Sequence, residues 1–171
     1  GRCEDKLDPE TKEKIALFCD VPTDAVFSNP DVADIYHVPL MVEDEGLDEY
    51  VMERLGLAEE AIPKADRDNG WREIVTTDPT DEIDIALVGK YGLEDAYMSI
   101  HESLKHAGFE TETDVNVLWV DADEMDDEHA DRLERADGII VPGGFGARGT
   151  EGKMEAVRYA RENEVPFLGL C

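Results

Sequence analysis

Basic residues are scarce in this chain: 16 Lys and Arg stand against 43 Asp and Glu, a formal net charge of −27. They form no Lys/Arg cluster, which argues against nucleic-acid binding through a basic patch. Cysteine is rarer still, with three in the chain. Cys3, Cys19 and Cys171 lie far apart without a C-x-x-C pair, so neither a zinc site nor a disulfide framework is indicated. The histidines His37, His101, His106 and His129 show no metal-ligand spacing and read as structural or solvent-facing, so no metal site is expected. No apolar run approaches the ~20 residues of a membrane span, and no signal-peptide pattern opens the sequence. The expectation is a cytoplasmic protein with no membrane partner.

What the chain has instead is acid, spread along its whole length. With 42% apolar residues and periodic segments through most of the chain, this is the pattern of a solvated folded surface rather than a disordered tail. Self-repulsion at such a charge opposes compaction in dilute buffer. Molar salt shortens the Debye length to roughly 3 Å and removes most of that penalty. A halophilic protein is therefore expected.

A length of 171 residues accommodates one complete domain or parts of two. Three parts are expected. The first, 1–57, begins at Gly1 without an initiator methionine. Asp8-Pro9 reads as a helix cap and first turn, with Ile15, Leu17 and Phe18 on the apolar side of a helix ending near Cys19. Residues 25–28 suggest a short strand, Asn29-Pro30-Asp31 a turn, and Leu47, Val51 and Leu55 a second amphipathic helix. The second part, 58–82, is rich in charge and proline (Pro63, Pro79) and reads as a linker, with Trp71 and Ile74-Val75 docked on a neighbouring surface. The third, 83–171, alternates strands at 83–88, 115–120, 138–141 and 165–170 with helices at 95–106, 128–135 and 150–162, Gly108 stopping the first of these. That alternation predicts an α/β, doubly wound parallel sheet, incomplete at Cys171.

Two turns at one edge of that sheet carry the chemistry. Val141-Pro142-Gly143-Gly144-Phe145-Gly146 opens a strand end into a flexible backbone, and Pro166-Phe167-Leu168-Gly169-Leu170-Cys171 brings a thiol to another strand end. Ligands of parallel sheets bind beyond these carboxyl ends. A thiol facing backbone N–H groups is a layout for acyl transfer. The glycine run has neither G-x-G-x-x-G nor G-K-[ST] spacing, so a dinucleotide or Walker loop is not indicated. A lone cysteine is more often a small core residue, and a glycine turn needs no function. The pair is far more informative than either part.

Pro142-Gly143-Gly144-Phe145-Gly146, Arg148-Gly149-Thr150-Glu151-Gly152-Lys153 and Gly169-Leu170-Cys171 resemble the class I glutamine amidotransferase domain of the CTP synthase family. Val88-Gly89-Lys90-Tyr91 and Asp95-Ala96-Tyr97 resemble the start of that glutaminase domain. Arg2, Lys14-Ile15-Ala16-Leu17-Phe18-Cys19, Val21-Pro22 and Asp31-Val32 resemble the end of the family's synthetase domain. The implied architecture is an incomplete doubly wound glutaminase domain preceded by the tail of a nucleotide-binding α/β synthetase domain. The resemblance implies that Cys171 attacks the glutamine amide and that the Gly144 backbone binds glutamine and helps form the oxyanion hole. It implies that Lys14 serves the UTP site, where CTP competes as feedback inhibitor. Arg2, Pro30, Asp31 and Val32 would surround ATP, and Phe145 and Arg148 would lie in the loop near a GTP effector. Without the resemblance, Lys14 is a solvated helix lysine, Asp31 a turn former and Arg148 a surface charge. A homo-oligomer, a tetramer by resemblance, is also implied. The family's ATP and Mg loops would lie upstream of Gly1, and its triad histidine and glutamate downstream of Cys171. The segment alone is thus expected to be inactive. The alternatives are the glutaminase of another class I amidotransferase and a non-catalytic flavodoxin-like binding module.

Overall fold

Asp8 starts the first helix as its place before proline predicts. In the computed structural model, which describes residues 2–60, 70–91, 94–124 and 126–171, its carboxylate accepts the Thr11 N–H at 2.8 Å and opens α1 (Pro9–Cys19). The helix ends where Asp20 turns left-handed, φ 54°, and its N–H returns toward Ala16. The expected apolar stripe is not what α1 buries. Ala16 is buried, whereas Leu17 and Phe18 are 78% and 87% exposed. Residues two apart point about 200° away from each other on a helix, so one face cannot cover Ile15 and Leu17 together.

The strand expected at 25–28 is replaced by a 3-10 turn, Thr23–Ala25, followed by a stretch that among the described residues has no ladder partner. Strand-like pairing begins a few residues later. The Cys3 N–H donates to the Asn29 carbonyl and the Asp31 N–H to the Cys3 carbonyl, both at 3.0 Å. A second 3-10 turn, Ile35–His37, leads into α2 (Val38–Asp44). Gly46 at φ 78° then turns the chain into α3 (Leu47–Arg54). Between these two helices, Glu45 anchors the unit. Its carboxylate, 7% exposed, meets Lys6 at 2.6 Å, Lys12 at 2.8 Å and the Ser28 N–H at 3.0 Å. Beyond a 3-10 turn at Ala58–Glu60, α4 (Trp71–Thr76) packs on the same unit. The Trp71 indole N–H donates to the Tyr36 carbonyl at 3.2 Å, and Val75 is buried. Pro63 of the expected linker and Gly92 lie outside the described residues. This first compact unit is Gly1–Thr76; the second is Thr77–Cys171.

The second unit is a four-stranded parallel sheet. Its elements are β1 (Asp81–Gly89), a 3-10 turn at Glu94–Tyr97, α5 (Met98–Thr111), β2 (Thr113–Asp121), α6 (Asp127–Arg135), β3 (Gly138–Val141), α7 (Thr150–Glu162) and β4 (Phe167–Gly169). Strand order is β2-β1-β3-β4. Leu87 stands between Trp119 and Ile140, and Val141 is opposite Gly169. The period of two sends Ala86, Val88, Val120 and Ile139 to one face, against Leu133, Ala136, Ala156 and Ala160 of the α6–α7 side. Leu87 and Ile140 point the other way, against Tyr97 and, on α5, Ile100 and Leu104. Helices on both faces make this the doubly wound arrangement.

Gly108 does not stop α5. The helix runs on to Thr111 and ends at Glu112, φ 52°. Gly108 is buried inside it, and a Cβ there would fall 2.5 Å from the Thr113 carbonyl oxygen. The residue serves close helix–strand approach, not termination. Among the described residues, no helix is long and apolar enough to cross a membrane.

Candidate functional site

The carboxyl ends of the four strands converge on one edge, where Lys90, Ala122, Pro142 and Leu170-Cys171 follow β1, β2, β3 and β4. Pairing of β3 with β4 continues past the ladder, since the Leu170 N–H donates to the Val141 carbonyl at 3.0 Å. That register sets the turn after β3 against the residue after β4. A Cβ built on Gly143 would lie 2.8 Å from the Cβ of Cys171 and 3.4 Å from its Sγ. Only a residue without a side chain admits the thiol so close to this backbone. Cys171 is exposed, and its φ of 93° lies in the left-handed region that L-residues seldom occupy.

Gly144 is crowded from the other side. A Cβ there would lie 2.8 Å from Lys90 Cε, 3.4 Å from Lys90 Nζ and 3.6 Å from Lys153 Nζ. The two ammonium groups hold the ends of the turn. Lys90 Nζ donates to the Phe145 carbonyl, and Lys153 Nζ donates to the Pro142 carbonyl at 2.7 Å. Lys90 is 4% exposed, its Nζ 5.2 Å from the centroid of the Tyr91 ring. Burial, followed by the charge of Lys90, pushes the Lys153 ammonium below the ordinary lysine range, while Cys171 acts in the opposite sense.

Phe145 and Arg148 of the loop face outward. Phe145 is 90% exposed. The Arg148 guanidinium pairs with Asp123 just beyond β2, which holds it above its ordinary range. Gly149, φ 72°, then lets the chain pass Lys90 and Ala122 closely before α7 begins.

The residues expected at a nucleotide site lie in the first unit. Arg2 clamps Asp31 with two bonds, Nε to Oδ1 at 2.5 Å and Nη2 to Oδ2 at 3.0 Å, and Cys3 bridges Pro30 beside them. The pair raises the Arg2 pKa and lowers that of Asp31, through the hydrogen bond first. Val32 follows at the surface. Lys14 sits on α1 with its ammonium 2.5 Å from Glu10, and among the described residues shares no hydrogen bond with the Arg2–Asp31 group. Among the described residues, no three His, Cys, Asp or Glu side chains are grouped to hold a metal ion.

The turn and the cysteine were readable as motifs. The two lysines were not singled out. The available signal was a lysine directly after the apolar strand 83–88, and another three residues into a helix that follows a glycine loop, in a chain poor in cations.

Comparison with known proteins adds two family matches. A family model described as glutamine amidotransferase class-I matches residues 93–171, and one described as CTP synthase N-terminus matches residues 1–57. A CTP synthase of Natronomonas pharaonis is 81% identical over 171 residues, 100% of this chain, and one of Haloarcula hispanica is 72% identical over the same length. The chain spans 31% of the length of each of these relatives. A solved Trypanosoma brucei CTPS glutaminase domain with bound acivicin is 39% identical, with a TM-score of 0.45 over 51% of this chain and 35% of that one.

Proposed function

This chain belongs to the CTP synthase family, and we propose that it carries the glutaminase nucleophile and part of the synthetase nucleotide site of such an enzyme. The observation that carries the reading is the approach of Cys171 to Gly143, which puts a thiol against a glycine backbone beyond adjacent strand ends. The positive φ of Cys171 suits a nucleophile elbow, where a sharp turn exposes the reactive atom.

In this reading the Cys171 sulfur, as thiolate, attacks the amide carbon of glutamine. The carbonyl π electrons move onto oxygen, and backbone N–H groups of the turn, Gly144 above all, hold that oxyanion. Collapse of the tetrahedral species expels ammonia once its nitrogen is protonated, leaving a glutamyl thioester. Water hydrolyses the thioester and returns the thiol. ATP phosphorylates the 4-oxygen of UTP, and the ammonia displaces that phosphate to give CTP. Confining the glutaminase keeps ammonia away from bulk water.

Arg2, Pro30, Asp31 and Val32 are assigned to ATP. Lys14, a compact point charge, is assigned to UTP and to CTP as feedback inhibitor. Phe145 and Arg148 are assigned to the GTP effector loop, and reaching Arg148 requires breaking its pair with Asp123. The three-part division at 57 and 82, a homo-oligomer and a cytoplasmic setting complete the proposal. The match over 1–57 favours it over a glutaminase serving another acceptor.

The test is glutamine-dependent CTP formation by the extended protein carrying this segment. Cys171→Ala is expected to abolish it, by roughly 10³-fold or more, while ammonia-dependent synthesis persists. A Cys171→Ala protein that still used glutamine normally would sink the nucleophile assignment.

A further inference from the structure

Two of the 16 basic side chains converge on one five-residue stretch, Pro142 to Gly146. In so acidic a chain, the default use of a cation is a solvated ion pair, as Arg158 makes with Glu155. Lys90 does otherwise. It is buried, and among the described residues its ammonium meets a backbone carbonyl and an aromatic face rather than a carboxylate. Lys153 also bonds a backbone carbonyl, that of Pro142, with its Nζ near the same Gly144 position as that of Lys90. Placing two like charges around one glycine is costly, and the depressed Lys153 pKa records part of that cost.

The geometry says what the arrangement does. A peptide unit is planar and trans, so its C=O and N–H point in opposite directions. Holding the Pro142 oxygen fixes the direction of the Gly143 N–H, and holding the Phe145 oxygen fixes that of the Gly146 N–H. Gly143 and Gly144, the two residues freest to flip, are thereby strung between two fixed planes. We propose that Lys90 and Lys153 are positioning residues that clamp the turn after β3 so that its central N–H groups stay aimed at the oxyanion beside Cys171. Among the described residues neither ammonium is hydrogen-bonded to the thiol, although the charge at Cys171 acts on Lys153; the clamp works through the backbone carbonyls they hold. This inference rests on the glutaminase reading above.

Lys90→Met and Lys153→Met keep most of the side chain and remove the donor. In the extended protein, each is expected to lower kcat for glutamine-dependent CTP formation about 10- to 100-fold, the scale of a misplaced oxyanion donor, leaving ammonia-dependent synthesis unchanged. Lys153→Arg, which can still donate to the Pro142 carbonyl, is expected to recover most of the loss. Amide hydrogen exchange at 143–147 is expected to accelerate at least ~10-fold in both Met variants. Glutamine-dependent turnover near wild type would overturn the clamp, as would a parallel fall in both activities, which marks a fold defect. A Cys171→Ala control that retained glutamine use would remove the glutaminase reading alone. The exchange rates at 143–147 would then still decide whether the lysines hold the turn.

Discussion

At the scale of single residues, Glu45 shows what a short stretch of sequence hides. It closes the run Val42-Glu43-Asp44-Glu45, with nothing to set it apart from the other acids. In the fold it is held by two lysines and a backbone N–H, and these bonds, Lys12 first, pull its pKa from 4.5 to about 2. A depressed carboxylate pKa stabilises the fold above the unfolded value and loses that contribution as pH falls through the folded one. The window for Glu45 therefore runs from about pH 5 down to about pH 2. Burial keeps the group only weakly screened by salt, so the first unit should lose roughly 2–3 kcal/mol across that window. Glu45→Gln should cost roughly 2 kcal/mol at pH 7 and flatten the acid dependence. Denaturant melts followed by Trp71 fluorescence in a Trp119→Phe background would read both effects. An unchanged acid slope in the variant would refute the assignment. Helix capping by Asp8, by contrast, was legible, because a cap bonds within three residues of itself. The destinations of Lys90, Lys153 and Glu45 depend on partners up to 55 residues away, which no local pattern encodes.

At the scale of elements, the second unit was more legible than the first. Its strands are apolar and its helices follow them in turn, so periodicity alone separates the two. The errors arose where one residue type has two uses. Gly108 reads as a stop although its role is close packing, and the apolar run at 25–28 has no partner strand among the described residues. Gly152 extends the same lesson to α7. A Cβ at this buried position would lie 2.2 Å from the Ala122 oxygen, 2.8 Å from its carbonyl carbon and 2.9 Å from its Cα, all backbone atoms that cannot rotate away. Gly152→Ala should push α7 off the end of β2 and destabilise the second unit by about 3 kcal/mol. Gly146→Ala offers the contrast, since nothing lies within 4 Å of its Cβ position and only its φ of 82° opposes substitution. Its cost should be about 1–2 kcal/mol. Urea melts followed by Trp119 in a Trp71→Phe background would compare them. Equal costs would mean that the α7–β2 contact yields more readily than its backbone geometry implies. Because α7 carries Lys153, Gly152→Ala should also loosen the turn at 143–147.

At the scale of the whole molecule, a net charge of −27 sets two salt effects against each other. Exposed pairs such as Lys14–Glu10 and Arg161–Glu162 weaken as salt rises, but pairs of this kind contribute at most about 1 kcal/mol each. Repulsion among the surplus carboxylates weakens as well, and it acts over the entire surface. The second effect should win, so Tm should climb by roughly 10 °C or more between 0.1 and 2 M KCl. The shape of the rise identifies its cause. The Debye length falls from about 10 Å to about 3 Å by 1 M, so screening of self-repulsion should deliver most of its gain below that concentration. A rise that continues steeply beyond 1 M, and is larger in potassium sulfate than in chloride of equal ionic strength, would point to salt exclusion from the surface instead. A Tm that falls with added KCl would show that the attractive pairs outweigh the repulsion. The acid surface would then be no adaptation to salt.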